Sequence, residues 1–165
     1  MLIETAHQNC YTLYMKCYER GVEAARKFAV GFAAENGLDA DEYYRNGGCG
    51  QFPAIVKKFA QCAIPYANHI HIYTAFGENP TRLYDIKGEP LIEWLYDAEC
   101  PWNDPEPATE DDIELMSYDY HLIKMIANVG REAALEHQDD ARAFDKDYFE
   151  RSLIAADEYI ANNTI

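Results

Sequence analysis

The chain has no C-x-x-C pair, no apolar run near the ~20 residues needed to cross a bilayer, and no basic, apolar leader at its start. The first absence argues against a zinc ribbon or a thioredoxin-type redox pair. The other two argue against a membrane protein or a secreted one. Cysteine is sparse, with five residues (Cys10, Cys17, Cys49, Cys62 and Cys100) that are odd in number and widely scattered. Small secreted scaffolds are far denser in cysteine, so the expectation is a reduced, cytoplasmic protein. Internal repeats and low-complexity tracts are also missing, and no motif by itself names a reaction.

Basic residues are missing from one long stretch. None occurs between Lys87 and Lys124, where eleven acids stand. Residues 1–88 carry nine Asp/Glu against nine Lys/Arg, whereas 89–165 carry twenty against five, so the net charge of -15 belongs to the second part. Such a field repels bare nucleic acid and anionic membranes, and favours a basic partner.

What is present is a globular composition, 48% hydrophobic and 13% aromatic with thirteen tyrosines. Disordered acidic tails lack that aromatic content, so the acidic half is expected to fold. At 165 residues the length fits one domain: a neutral scaffold over 1–88 and an acidic helical part over 89–165.

The periodicity predicts a mainly α (α+β) fold. Apolar residues at three- and four-residue spacing mark a helix over about 4–36, with Cys10 and Cys17 on its buried stripe and Gly37 as its stop. This stripe would equally pair two copies into a homodimer. Asp39 is set to cap a short helix ended by Asn46-Gly47-Gly48, and a third helix is expected from Pro53 to about Ile64. Near residue 68 the period turns to two, which predicts one small β-hairpin around residues 68–87. Beyond it, helices are expected over about 90–100, from a Thr109 cap to about His137, and from an Asp145 cap to the end, with a Pro-rich linker over 102–108.

Helix-end electrostatics explains Glu110, Asp111, Asp112, Asp145 and Asp147, because anions are favoured in a first helical turn. It does not explain Glu89, Glu93 and Asp97, which repeat every four residues and would repel one another on one face. Together with Trp94, Tyr96, Glu99, Trp102, Asp104, Glu106 and Glu114 they outline an expected partner-binding surface. A one-signed acidic face can imitate rows of phosphates and occupy the groove of a DNA- or RNA-binding protein. Antirestriction and anti-CRISPR inhibitors encoded by phages work in this way. The sequence therefore favours an acidic inhibitor, with a basic nucleic-acid-binding protein as partner and no cofactor, over an enzyme.

The enzymatic alternative rests on the segment from Asn46 to Pro53. Cys49 stands in a glycine-rich loop just before a helix, whose N-terminus stabilises a thiolate. His69 or His71 on the next strand and Asp85 on the one after follow in the order cysteine, histidine, carboxylate used by papain-like hydrolases. Gln51 is a candidate oxyanion donor. His69-x-His71 could also begin a metal site completed by Asp85 or His121, although two histidines without a fixed third ligand define none. No metal site is assigned.

Overall fold

The structure is a computed structural model that describes residues 2–68, 71–76, 82–88 and 105–163, with the side chains of its first helix described from Tyr14 onward. The architecture is mainly α with a small four-stranded antiparallel sheet. In chain order the elements are α1 (Leu2–Glu35), α2 (Ala40–Tyr43), α3 (Gln51–Phe59), β1 (Ala63–Ala67), β2 (Ile72–Phe76), β3 (Leu83–Tyr84), β4 (Glu106–Pro107), α4 (Glu110–Leu115), α5 (Tyr120–Val129), α6 (Arg131–Leu135) and α7 (Gln138–Asn163).

Helix α1 buries Tyr18, Val22, Ala25, Phe28, Ala29 and Ala33, a stripe at three- and four-residue spacing. It packs mainly on α3, which also meets α7 and the sheet. Aromatic rings join these helices. Phe28 lies 5.7 Å from Phe59 and 5.5 Å from Tyr159 between ring centroids, and Phe32 lies 5.2 Å from Tyr148. Burying each ring removes apolar surface worth about 1.5–3 kcal/mol. Cys17 is exposed, which corrects its expected place in the core: the inward stripe is the neighbouring one through Tyr18 and Val22.

The predicted Asp39 cap is present, its carboxylate accepting the Glu42 N–H at 2.8 Å. Helix α3 is shorter than expected. It ends at Ala60, whose backbone is extended, and Ala63–Ala67 forms β1 rather than a last helical turn. A short apolar run suits helix or strand alike, and here pairing decides. β1 lies between β2 and β4 in the order β3-β2-β1-β4. It pairs with β2 in the register Pro65↔Thr74 and Ala67↔Ile72, and the Pro65 carbonyl accepts the Ala108 N–H at 2.9 Å. The expected hairpin is thus the β2–β3 part of a larger sheet, with Thr74 facing Tyr84.

The long helix expected from Thr109 is broken into α4, α5 and α6. Its first turn is as predicted, a reciprocal capping box between Thr109 and Asp112. The interruption between α4 and α5 comes from tertiary hydrogen bonds: the Met116 carbonyl accepts the Gly50 N–H at 3.0 Å, and the Asp119 N–H donates to the Gly47 carbonyl at 3.1 Å. Gly130, at φ +87°, separates α5 from α6. Asp145 is not a helix cap either. Helix α7 begins at Gln138, which leaves Asp145 inside it, fully buried.

Candidate active site

Three elements carry the site. The Gly47–Gly50 loop delivers Cys49 to the N-terminal end of α3, with Gly50 as the residue before the first turn. The loop is held tightly. A Cβ on Gly50 would sit 2.3 Å from Ser117 Oγ and 2.5 Å from the Ile113 carbonyl oxygen, so only glycine lets the α4–α5 turn approach this closely. Against that turn the Cys49 thiol is buried and donates to the Met116 carbonyl at 3.5 Å.

His71 is placed by the turn that joins β1 to β2. Its N–H donates to Asn68 Oδ1 at 2.8 Å and its carbonyl accepts the Asn68 N–H at 3.0 Å. Asp85 leaves β3 in a small closed turn, exchanging backbone hydrogen bonds with Gly88 at 2.8 and 3.0 Å, while its Oδ1 accepts the Lys87 N–H at 2.8 Å. The other carboxylate oxygen, Oδ2, faces His71 Nε2 at 3.5 Å, and both side chains are only 9% exposed. Tyr73, one strand step of two beyond His71, sets its ring edge-on to the imidazole at 4.7 Å.

The electrostatics ties these groups together. Burial alone would depress the proton affinity of His71. Asp85 and the Cys49 thiol, both acting on the ring through hydrogen bonding and charge, outweigh burial and carry its pKa up to about 9. Burial likewise opposes ionisation of Asp85, yet His71, the Lys87 amide and Arg45 hold its pKa below the usual carboxylate value. At neutral pH the pair is therefore an imidazolium facing a carboxylate. A cavity of about 590 Å³ opens over His71, Asp85 and Tyr73, with Arg45, Lys87 and Asp41 among its other walls. Cys49 is buried and is not among the residues that line that cavity.

No protein-family model, curated protein or solved structure matches this chain. The site must therefore be judged on its own geometry.

Of the expected catalytic residues, the fold pairs His71 with Asp85 and sets Cys49 near enough to act on the imidazole electrostatically, its thiol donating to the Met116 carbonyl. His69 lies outside the described residues. Gln51 does not serve as the expected oxyanion donor. Its amide nitrogen is buried and bonds the Ser117 carbonyl at 2.5 Å and the Tyr43 hydroxyl at 2.9 Å, so it braces the loop from behind. His121 does not join His71 in a metal site: its Nδ1 meets Asp145 Oδ1 at 2.6 Å, and its own N–H donates to Asp145 Oδ2 at 3.0 Å. Among the described residues, no group of three or more His, Cys, Asp or Glu gathers in a ligating arrangement.

Of the expected partner surface, Glu89, Glu93, Trp94, Tyr96, Asp97, Glu99, Trp102 and Asp104 lie outside the described residues. Glu106 on β4 and Glu114 on α4 are exposed. Tyr18, Tyr43, Tyr44 and Tyr148 are almost fully buried. Their hydroxyls find partners there, Tyr44 with Tyr148 at 3.1 Å and Tyr18 with Thr74 at 3.3 Å. Sequence reasoning missed Arg45, Asn68, Tyr73 and Met116, which stand in unpatterned loops or on a strand face and meet the site only through the fold.

Proposed function

We propose that the protein is a cysteine-dependent hydrolase that cleaves amides or activated esters by acyl transfer. The observation that carries this reading is the buried His71–Asp85 pair, 3.5 Å apart at a cavity, with the Cys49 thiol acting on the same imidazole. In the reaction, Cys49 gives its proton to solvent, since His71 already carries one, and its thiolate attacks the carbonyl carbon and forms an S–C bond. The imidazolium of His71 gives its proton to the leaving nitrogen as the C–N bond breaks. The neutral imidazole then takes a proton from water, whose oxygen displaces the thiolate and releases the acid. Asp85 keeps the ring oriented and favours its charged form. The α3 N-terminus adds a partial positive charge near the sulfur.

Alkylation rates decide the matter. Cys17 and Cys62 are exposed and serve as internal references for buried Cys49. With iodoacetamide at pH 6–7 and mass-spectrometric readout, Cys49 should react faster than either reference despite its burial, and His71→Ala should remove that advantage. A panel of fluorogenic acyl substrates should be turned over about 10²–10⁴-fold more slowly by His71→Ala, and not measurably by Cys49→Ala. A Cys49 that reacts more slowly than the two exposed cysteines rules the mechanism out.

A second reading keeps the acidic part of the chain as a docking face for a basic nucleic-acid-binding protein, in the manner of a phosphate mimic. Its support is that Glu106, Glu110, Asp111 and Glu114 are all exposed and form no ion pair among the described residues. The two readings concern different surfaces and do not compete.

A further inference from the structure

The cavity over His71 has a cationic side that acyl transfer alone does not use. Arg45 lines it, and the one polar approach of its guanidinium among the described residues is 3.8 Å from Nε to Asp85 Oδ2, beyond hydrogen-bond range. A guanidinium carries five N–H donors in a rigid fork, so most of this capacity is unspent. The neighbouring acids are engaged elsewhere. Asp39 caps α2, Asp41 faces Lys87 Nζ at 3.4 Å, and Glu42 holds Lys124 Nζ at 2.5 Å. What the cavity still offers is a donor fork for an anion. Asp85 Oδ2 stands 3.5 Å from His71 Nε2 and 3.8 Å from Arg45 Nε, and all three residues line the same cavity. His71 protonates the leaving amine, so that amine must lie in the cavity that His71 and Arg45 share.

Resting on the acyl-transfer reading, we propose that the substrates are amides whose leaving amine carries a carboxylate, namely N-acyl amino acids and peptides with a free C-terminal carboxylate, and that Arg45 binds this carboxylate through paired N–H···O bonds. Thiolate attack then breaks the amide C–N bond, His71 protonates the nitrogen, and a free amino acid departs with its carboxylate still on Arg45. Water completes the cycle by releasing the acyl group as an acid. A paired carboxylate–guanidinium contact is the geometry in which arginine discriminates best, because both charge and shape are matched.

Binding and turnover are measured separately. Cys49→Ala protein is titrated calorimetrically with N-acetyl-alanyl-alanine and with its C-terminal carboxamide. The acid should bind about tenfold more tightly or better. Adding Arg45→Ala should erase the difference, and Arg45→Lys should restore only part of it, because lysine keeps the charge and lacks the fork. Equal affinity for acid and carboxamide, or a preference that survives Arg45→Ala, overturns the carboxylate assignment. Wild-type protein is then given the acid peptide. Turnover no faster than by Cys49→Ala, with the acid preference intact, overturns the hydrolase reading while supporting the carboxylate site. The Arg45 side chain is 38% exposed, so its variants should melt with the parent, and that check accompanies each titration.

Discussion

At the scale of single residues, His71 is where fold and chemistry share one proton. An imidazole that holds its proton more tightly once folded stabilises the fold only while it keeps that proton. The contribution is therefore complete below the ordinary value of 6.5 and is lost as pH rises through about 9. Asp85, shifted the opposite way, contributes above its ordinary value of 3.8 and loses that contribution as pH falls through its lowered value. Urea unfolding followed from pH 6 to pH 9.5 should show a midpoint that falls across the interval, and His71→Gln should flatten the fall. A parent midpoint that rises across this range contradicts the assigned pairing. Cys49, one candidate histidine and Asp85 were legible in the sequence as residue types in a familiar order. That His71 faces Asp85 was not, since alternation on a strand puts both histidines on one face, and the ring is set by Asp85 and Tyr73.

At the scale of elements, the glycine-rich loop is determined by what crosses it. Gly50 admits the Ser117 hydroxyl and the Ile113 carbonyl, and Gly47, at φ +98°, admits the Tyr120 amide. A Gly50→Ala change forces these groups apart and should cost about 1–3 kcal/mol in chemical denaturation. Gly31 is the matching control. It lies within α1 with nothing in reach of an added Cβ, so Gly31→Ala should stabilise the protein by about 0.5–1 kcal/mol. Should both changes prove neutral, the loop is not clamped as described. Local signals located α1, the Asp39 cap and the Thr109 capping box, because each is decided by residues within one or two turns. They missed β1, the α4–α5 break and the buried position of Asp145, because each is decided by a distant partner: Thr74 and Ala108, Gly47 and Gly50, and His121 with Tyr43. A local pattern cannot contain those partners.

At the scale of the whole molecule, the uneven charge separates the candidate site from most of the acids along the chain. The neutral first part holds Cys49, His71, Asp85 and Arg45, and the acidic part supplies the helices that pack behind them. If the exposed acids of β4 and α4 form a docking face, association with a basic nucleic-acid-binding protein should weaken steeply between about 50 and 200 mM salt. Replacing Glu106, Glu110, Asp111 and Glu114 by their amides should reduce that salt dependence in surface-plasmon measurements while leaving Cys49 alkylation unchanged. A binding constant indifferent to both salt and substitution removes the docking face from consideration.

The chain order of the site has a further consequence, which concerns how such a protein can change over time. The candidate groups Cys49, His71 and Asp85 all lie between residues 49 and 85, so only two modest loops separate them along the chain, and lengthening such a loop twofold costs only about 0.6 kcal/mol. Among the described residues, the later helices make polar contacts with this segment through Met116, Ser117, Asp145 and Asp157. Outside those points, the acidic surface can drift, gain or lose charge, or acquire a new partner without disturbing the thiol and its imidazole. Descendants of this chain could therefore differ widely in what they adhere to and still carry the same reacting groups.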